Sequence, residues 1–106
     1  MVTVTFKFPL KCSVQQVKFR ETNGKDEALA AVKAKALGDQ GSTTDELVRL
    51  SIMEVDGQQV QQPYGDYDGW NTRTRALALA AWRSLNGFDD VEAADFLRQA
   101  VPATAP

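Results

Sequence analysis

Few residues of this 106-residue chain could carry chemistry, and none of them is a histidine. Without imidazole there is no Ser-His-Asp or Cys-His nucleophile pair, no histidine-ligated zinc and no histidine proton transfer. A single cysteine, Cys12, leaves no internal disulfide and no four-cysteine metal site. Its thiol would need a base or a cationic pocket to act as a nucleophile, and the adjacent Lys11 is thin support. A small packed side chain in a reducing compartment is the expectation.

The carboxylates are no better placed for chemistry. Asp66-x-Asp68-Gly69 begins like a calcium loop, but counting from Asp66 the sixth position is Asn71 and the twelfth is Leu77. Such a loop needs glycine and a bidentate glutamate there, so no metal is expected. Asp89, Asp90 and Glu92 fall in the first turn of an expected helix, where capping and the helix dipole account for them; Asp95 follows. Gly24-Lys25-Asp26 is not a phosphate-binding loop. The chain therefore reads as non-enzymatic, with no cofactor.

What remains is contact. Tyr64-Gly65-Asp66-Tyr67-Asp68-Gly69-Trp70 puts three aromatics in one segment, with Arg73 and Arg75 just beyond. Aromatics and arginines dominate the energetic centres of protein interfaces. Tyr64, Tyr67, Trp70, Arg73 and Arg75 are therefore the candidate partner-binding set, with Trp70 expected in the core and both tyrosines at the surface. The arginines could stack on bases or clamp a phosphate. A net charge of −2 is nevertheless not that of a general nucleic-acid binder. Residues 1–53 carry eight basic and six acidic side chains and residues 54–106 four and eight, a polarity mild enough to be solvated scatter.

The elements that must hold these residues follow from pattern. With 43% hydrophobic and 25% charged residues, the length suits one α+β domain over 1–101, with 102–106 a flexible tail. Val2, Val4, Phe6 and Phe8 alternate with polar residues up to Pro9, and Val17 and Phe19 alternate beyond it. This predicts an antiparallel hairpin with all six facing the core. A helix is predicted from Asn23-Gly24 to Leu37, with acids first, lysines last, and a shallow stripe of Leu29, Val32, Ala36 and Leu37. Such a helix packs close to its neighbour or sits at an edge.

Thr43-x-x-Glu46 predicts a capping box for a second helix, with Leu47, Val48 and Leu50 inward. Residues 51–55 could continue that helix or open a strand, and Asp56-Gly57 is a turn beyond which Val60 could pair back. The favoured reading is a helix to about residue 53. A third helix, capped by Asn71 or Thr72, carries Ala78, Leu79, Trp82 and Leu85 as far as Asn86-Gly87. A fourth begins at Asp89-x-x-Glu92 with Val91, Ala94, Leu97 and Val101 on one side, and ends at Pro102. The expected architecture is an N-terminal hairpin packed against about four helices. No signal peptide or membrane span is expected.

Three pieces in order resemble a known group. Val17-Lys18-Phe19-Arg20-Glu21-Thr22-Asn23-Gly24-Lys25-Asp26-Glu27 resembles the strand, R-x-x-(T/N)-G-K-D-E and helix opening of small tail proteins of contractile-tailed phages. Leu47 to Gly57 resembles their second helix ending on a V-D-G turn. Asn71-Thr72-Arg73-Thr74-Arg75, then Asn86-Gly87-Phe88 and Glu92-x-x-Asp95-Phe96-Leu97, resembles their C-terminal pair of helices. These are the Mu-like tail-assembly chaperones and the myovirus baseplate-hub assembly proteins. Some of the latter end in a cysteine pair, which is missing here, so the choice between branches stays open.

The resemblance, over about residues 14–100, implies a non-enzymatic protein that works in the host cytoplasm during tail or baseplate assembly. It would bind the tape measure, hub or tube protein, or copies of itself, and then leave or remain in the particle. The family assigns no role to the aromatic segment. A different class of function stays open beside this one: a small regulatory or inhibitory module acting on one host or phage partner.

Overall fold

Alternating β-branched and aromatic residues build the first hairpin, β1 (Thr3–Lys7) and β2 (Gln16–Arg20), in a computed structural model that describes residues 2–87. Val4 lies opposite Phe19 and Phe6 opposite Val17, so the predicted apolar face is indeed one face. Only part of it is covered. Val17 and Phe19 are fully buried and Phe8 nearly so, but Val4 is 37% and Val2 50% exposed. The expectation that all six side chains enter the core fails for these two valines, because β1 is the outer strand.

The sheet is larger than a hairpin. Strands β3 (Ile52–Val55) and β4 (Gln58–Gln59) extend it antiparallel, in the order β1-β2-β3-β4. With it come three α-helices, α1 (Gly24–Ala36), α2 (Thr43–Ser51) and α3 (Thr72–Asn86); α2 and α3 touch the sheet and α1 packs on α2. The fold is α+β, with four antiparallel strands and three helices among the described residues in place of a hairpin and about four helices. The expected fourth helix and the tail at 102–106 lie outside the described residues.

The favoured extension of the second helix to residue 53 is overturned: α2 stops at Ser51 and β3 starts at the next residue. A bulge explains why the sequence misleads. Val55 pairs with Val17, Glu54 with Lys18 and Ile52 with Phe19, so Met53 is an extra residue in β3. Ile52 and Val55 therefore both meet β2 residues of the buried face, although they are three positions apart. That spacing mimics a helix. Carbonyls of the last turn are taken up by one local and one tertiary bond: Ser51 Oγ donates to Val48 O at 2.7 Å, and Tyr64 N donates to Arg49 O at 3.1 Å.

Asp56 and Gly57 form the β3–β4 turn with φ of +51° and +84°, the left-handed pair that a tight hairpin requires. Asp56 Oδ1 accepts from Gln15 N at 2.8 Å and from Gln16 N at 2.9 Å, tying this turn to the start of β2.

Each helix start is capped, and on α2 the cap falls one residue before the predicted one. Asn23 and Asp26 make a reciprocal capping box on α1, and Asn71 caps α3. On α2 the cap is Ser42, which accepts from Asp45 N; Thr43 is already helical. Helix α1 turns the other way from its predicted stripe: Asp26, Ala30 and Ala34 are buried, while Leu29 (54%), Val32 (71%) and Leu37 (46%) face outward. Alanines let α1 lie close against α2, which is the shallow packing its composition predicts. Gly41 completes that approach, since a Cβ there would run into the Ala34 carbonyl.

Asp26 is held in place by more than its cap. Arg20 donates to it twice, at 2.8 and 3.0 Å, and both side chains are nearly buried. The Arg20 hydrogen bonds hold the Asp26 carboxyl below its ordinary range, against a desolvation penalty that works the other way.

Candidate partner-binding surface

The segment between β4 and α3 crosses the end of α2 and is fastened there. Gln62 Nε2 donates to Ile52 O at 3.1 Å, and Tyr64 N reaches the last turn of α2. A 3-10 turn over Gly65–Gly69 then drops Tyr67 inward. At the far end Asn71 N donates to Ser13 Oγ, and Ser13 N donates to Thr74 Oγ1, so the β1–β2 connection closes on the start of α3.

Tyr67, expected at the surface, is only 1% exposed and is the largest fully buried side chain among the described residues. Its ring meets Trp70 edge-on at 5.5 Å, and Trp70 meets Tyr64 at 5.4 Å, giving a connected aromatic row. Trp70 is buried as expected, and Tyr64 is half-buried. The guanidinium carbons of Arg49 and Arg75 each lie 5.2 Å from the centre of the Tyr67 ring. The sequence could not show this, because the alternation of Gly, Asp and Tyr gives no burial period.

Arg49 is the residue that sequence reading missed. It donates from Nε to Glu46 at 2.9 Å and from a terminal nitrogen to Asp68 at 2.7 Å while covering Tyr67. Its pKa is raised: burial opposes the charge, but the two carboxylates outweigh it. The same contact lowers the Asp68 pKa. Arg75 reaches Asp45 at 3.5 Å, a long and partly exposed pair that adds little by itself. For Arg49, the one signal available in the sequence was its place three residues after Glu46, as a helical ion pair.

Burial is the main cause that pushes the Tyr67 phenol above its ordinary range, reinforced by the charge of Asp45 and opposed by the Arg75 hydrogen bond. Tyr64 is raised in the same way to start with, by desolvation. Contacts join Tyr64, Tyr67, Trp70 and Arg75, and the candidate residues do different things. Tyr67 and Trp70 hold the segment down, Arg75 joins them to α2, and Tyr64 and Arg73 offer surface to solvent.

The chemistry-bearing residues are otherwise engaged. Cys12 is packed in the core with Phe8, Val14 and Trp70. Among the described residues no three His, Cys, Asp or Glu side chains gather as a metal site, and no helix is long and apolar enough to cross a membrane. A shallow, mostly apolar groove of about 240 Å³ lies between α1 and α2, lined by Leu29, Ala30, Lys33, Glu46, Leu50 and Pro63. No family model, curated protein or solved structure matches the chain.

Proposed function

We propose that this chain is a non-enzymatic tail protein of a phage or phage-derived contractile particle, acting in tail or baseplate assembly by binding another tail protein such as the tape measure or hub. The resemblance over residues 14–100 supplies the class. The observation that carries a contact role is the outward face of α1. Leu29 and Val32 lie exposed on the helix and Leu37 at its C-cap, and Leu29 also lines the groove with Leu50 and Pro63. Exposed apolar side chains gathered in one place are what interaction sites are built from. An amphipathic helix is the partner it fits, since such helices seat apolar residues in grooves between helices.

Engagement of the carboxylates supports a role without turnover. Asp26 is paired with Arg20, Glu46 and Asp68 with Arg49, and Asp45 with Arg75, so each serves the scaffold. Co-expression with the tape-measure or hub protein of the same operon tests the reading. A complex that co-purifies, and that Val32→Asp weakens at least tenfold, is the expected result. Retention of no tail protein overturns it, and capture of one partner from outside the tail favours the regulatory alternative.

A further inference from the structure

The outer edge of the sheet carries a second surface, apart from the α1 face on which the assembly reading rests. Among the described residues β1 has a neighbouring strand only on its β2 side. Val2 O accepts from Glu21 N and Phe8 N donates to Gln15 O, so the main-chain groups of the even-numbered residues face β2. Those of Thr3, Thr5 and Lys7 therefore point outward along the free edge. The usual protections of such an edge are weak here. Strand β1 pairs with β2 without a bulge, holds no proline, and has Lys7, at its end, as its one charge. The opposite edge, β4, is only two residues long.

The even-numbered side chains say what this edge fits. Val2 and Val4 are exposed, Phe6 is half-buried and Phe8 buried, all on the face that packs on the core. Beside Phe6 and Phe8 a mostly apolar groove of about 300 Å³ opens between β1 and α3, walled by Leu77, Ala80 and Ala81. The strand is thus aliphatic and uncovered at its start, aromatic toward its end. Turned end for end about Thr5, it is complementary to itself. Thr5 then lies opposite Thr5, Thr3 opposite Lys7, Val4 opposite Phe6 and Val2 opposite Phe8. In this register the outward main-chain groups are the ones that meet. Each opposed pair formed by Thr3, Thr5 and Lys7 exchanges both its N–H···O bonds. Like charges do not face each other, since Lys7 meets Thr3.

We propose that β1 is the pairing edge for a second copy of this chain, joined antiparallel about a two-fold axis at Thr5 into one continuous sheet. A two-fold contact uses the same strand on both copies, so it closes on itself and leaves neither β1 edge free. Phe6 and Phe8 of the second copy cover Val4 and Val2, and its Val4 and Val2 come beside the groove in return. The exposed valines and the groove then have one explanation.

Sedimentation of the full chain over a range of concentrations tests this, and a monomer–dimer equilibrium is expected. A chain that stays monomeric at millimolar concentration overturns the proposal. Thr5→Pro removes the N–H at the axis, a group that β2 does not use. Circular dichroism should therefore be unchanged while the dimer weakens at least about tenfold. A Thr5→Pro chain that dimerises as the parent does places the contact elsewhere and sinks the idea. The register has a readout that needs no variant. In a mixture of isotope-labelled and unlabelled chains, a filtered NOE is expected between the Cα protons of Val4 and Phe6. Those protons point out along the free edge and meet only across two copies, so a dimer without the NOE also overturns the pairing. Val32→Asp, on α1, should leave the equilibrium unchanged, which keeps loss of the dimer distinct from loss of tail-protein capture.

Discussion

Tyr67 sets the character of the aromatic segment. Buried between Arg49 and Arg75 and against Trp70, it fastens the chain that joins the sheet to α3. Tyr67→Ala is expected to cost about 3–5 kcal/mol by leaving a cavity in the core, measured by urea unfolding. Tyr64→Ala, at a half-buried ring, should cost less than half of that. The raised Tyr67 pKa has a consequence with a definite sign: the fold favours the neutral phenol. Its contribution is complete below the ordinary tyrosine pKa of about 10 and is lost as pH rises through the raised folded value. Tyr67→Phe should therefore flatten the alkaline limb of stability against pH.

At the scale of elements, the β3–β4 hairpin depends on Asp56 twice, for its left-handed backbone and for two hydrogen bonds to β2. Asp56→Asn keeps an acceptor and tolerates that backbone, so it should cost little. Asp56→Val loses both and should cost about 2–3 kcal/mol, with the amides of Gln15 and Gln16 losing protection from hydrogen exchange. The sequence marked this turn correctly, since Asp-Gly is a local signal. It did not mark the end of α2 or the bulge at Met53. Both are decided by what the segment meets, β2 on one side and the backbone of Tyr64 on the other.

For the whole molecule, the Arg20–Asp26 pair joins the end of β2 to the start of α1 and caps the helix at the same time. Asp26→Ala strands a nearly buried guanidinium and should cost about 3 kcal/mol. The lowered Asp26 pKa stabilises the fold fully above the ordinary aspartate value of about 3.9, and that contribution is lost as pH falls through the depressed folded value. Acid unfolding followed by circular dichroism should show a shallower limb in Asp26→Asn than in the parent. Asp68 is lowered too, but its side chain is two-thirds exposed, so solvent screens its share.

By itself the sequence determined what depends on neighbours along the chain. These are the β1–β2 hairpin, a cap at Asn71 or Thr72 and the Asp56-Gly57 turn. Only the tertiary structure decided which apolar side chains the core would take. It left Leu29, Val32, Val2 and Val4 outside and drew Tyr67 and Arg49 inward. The reason is physical: periodicity shows which residues share a face, but covering that face depends on where the other elements pack. Alanines let α1 turn its smallest face to α2, and β1, at the edge of the sheet, has a neighbour on one side only.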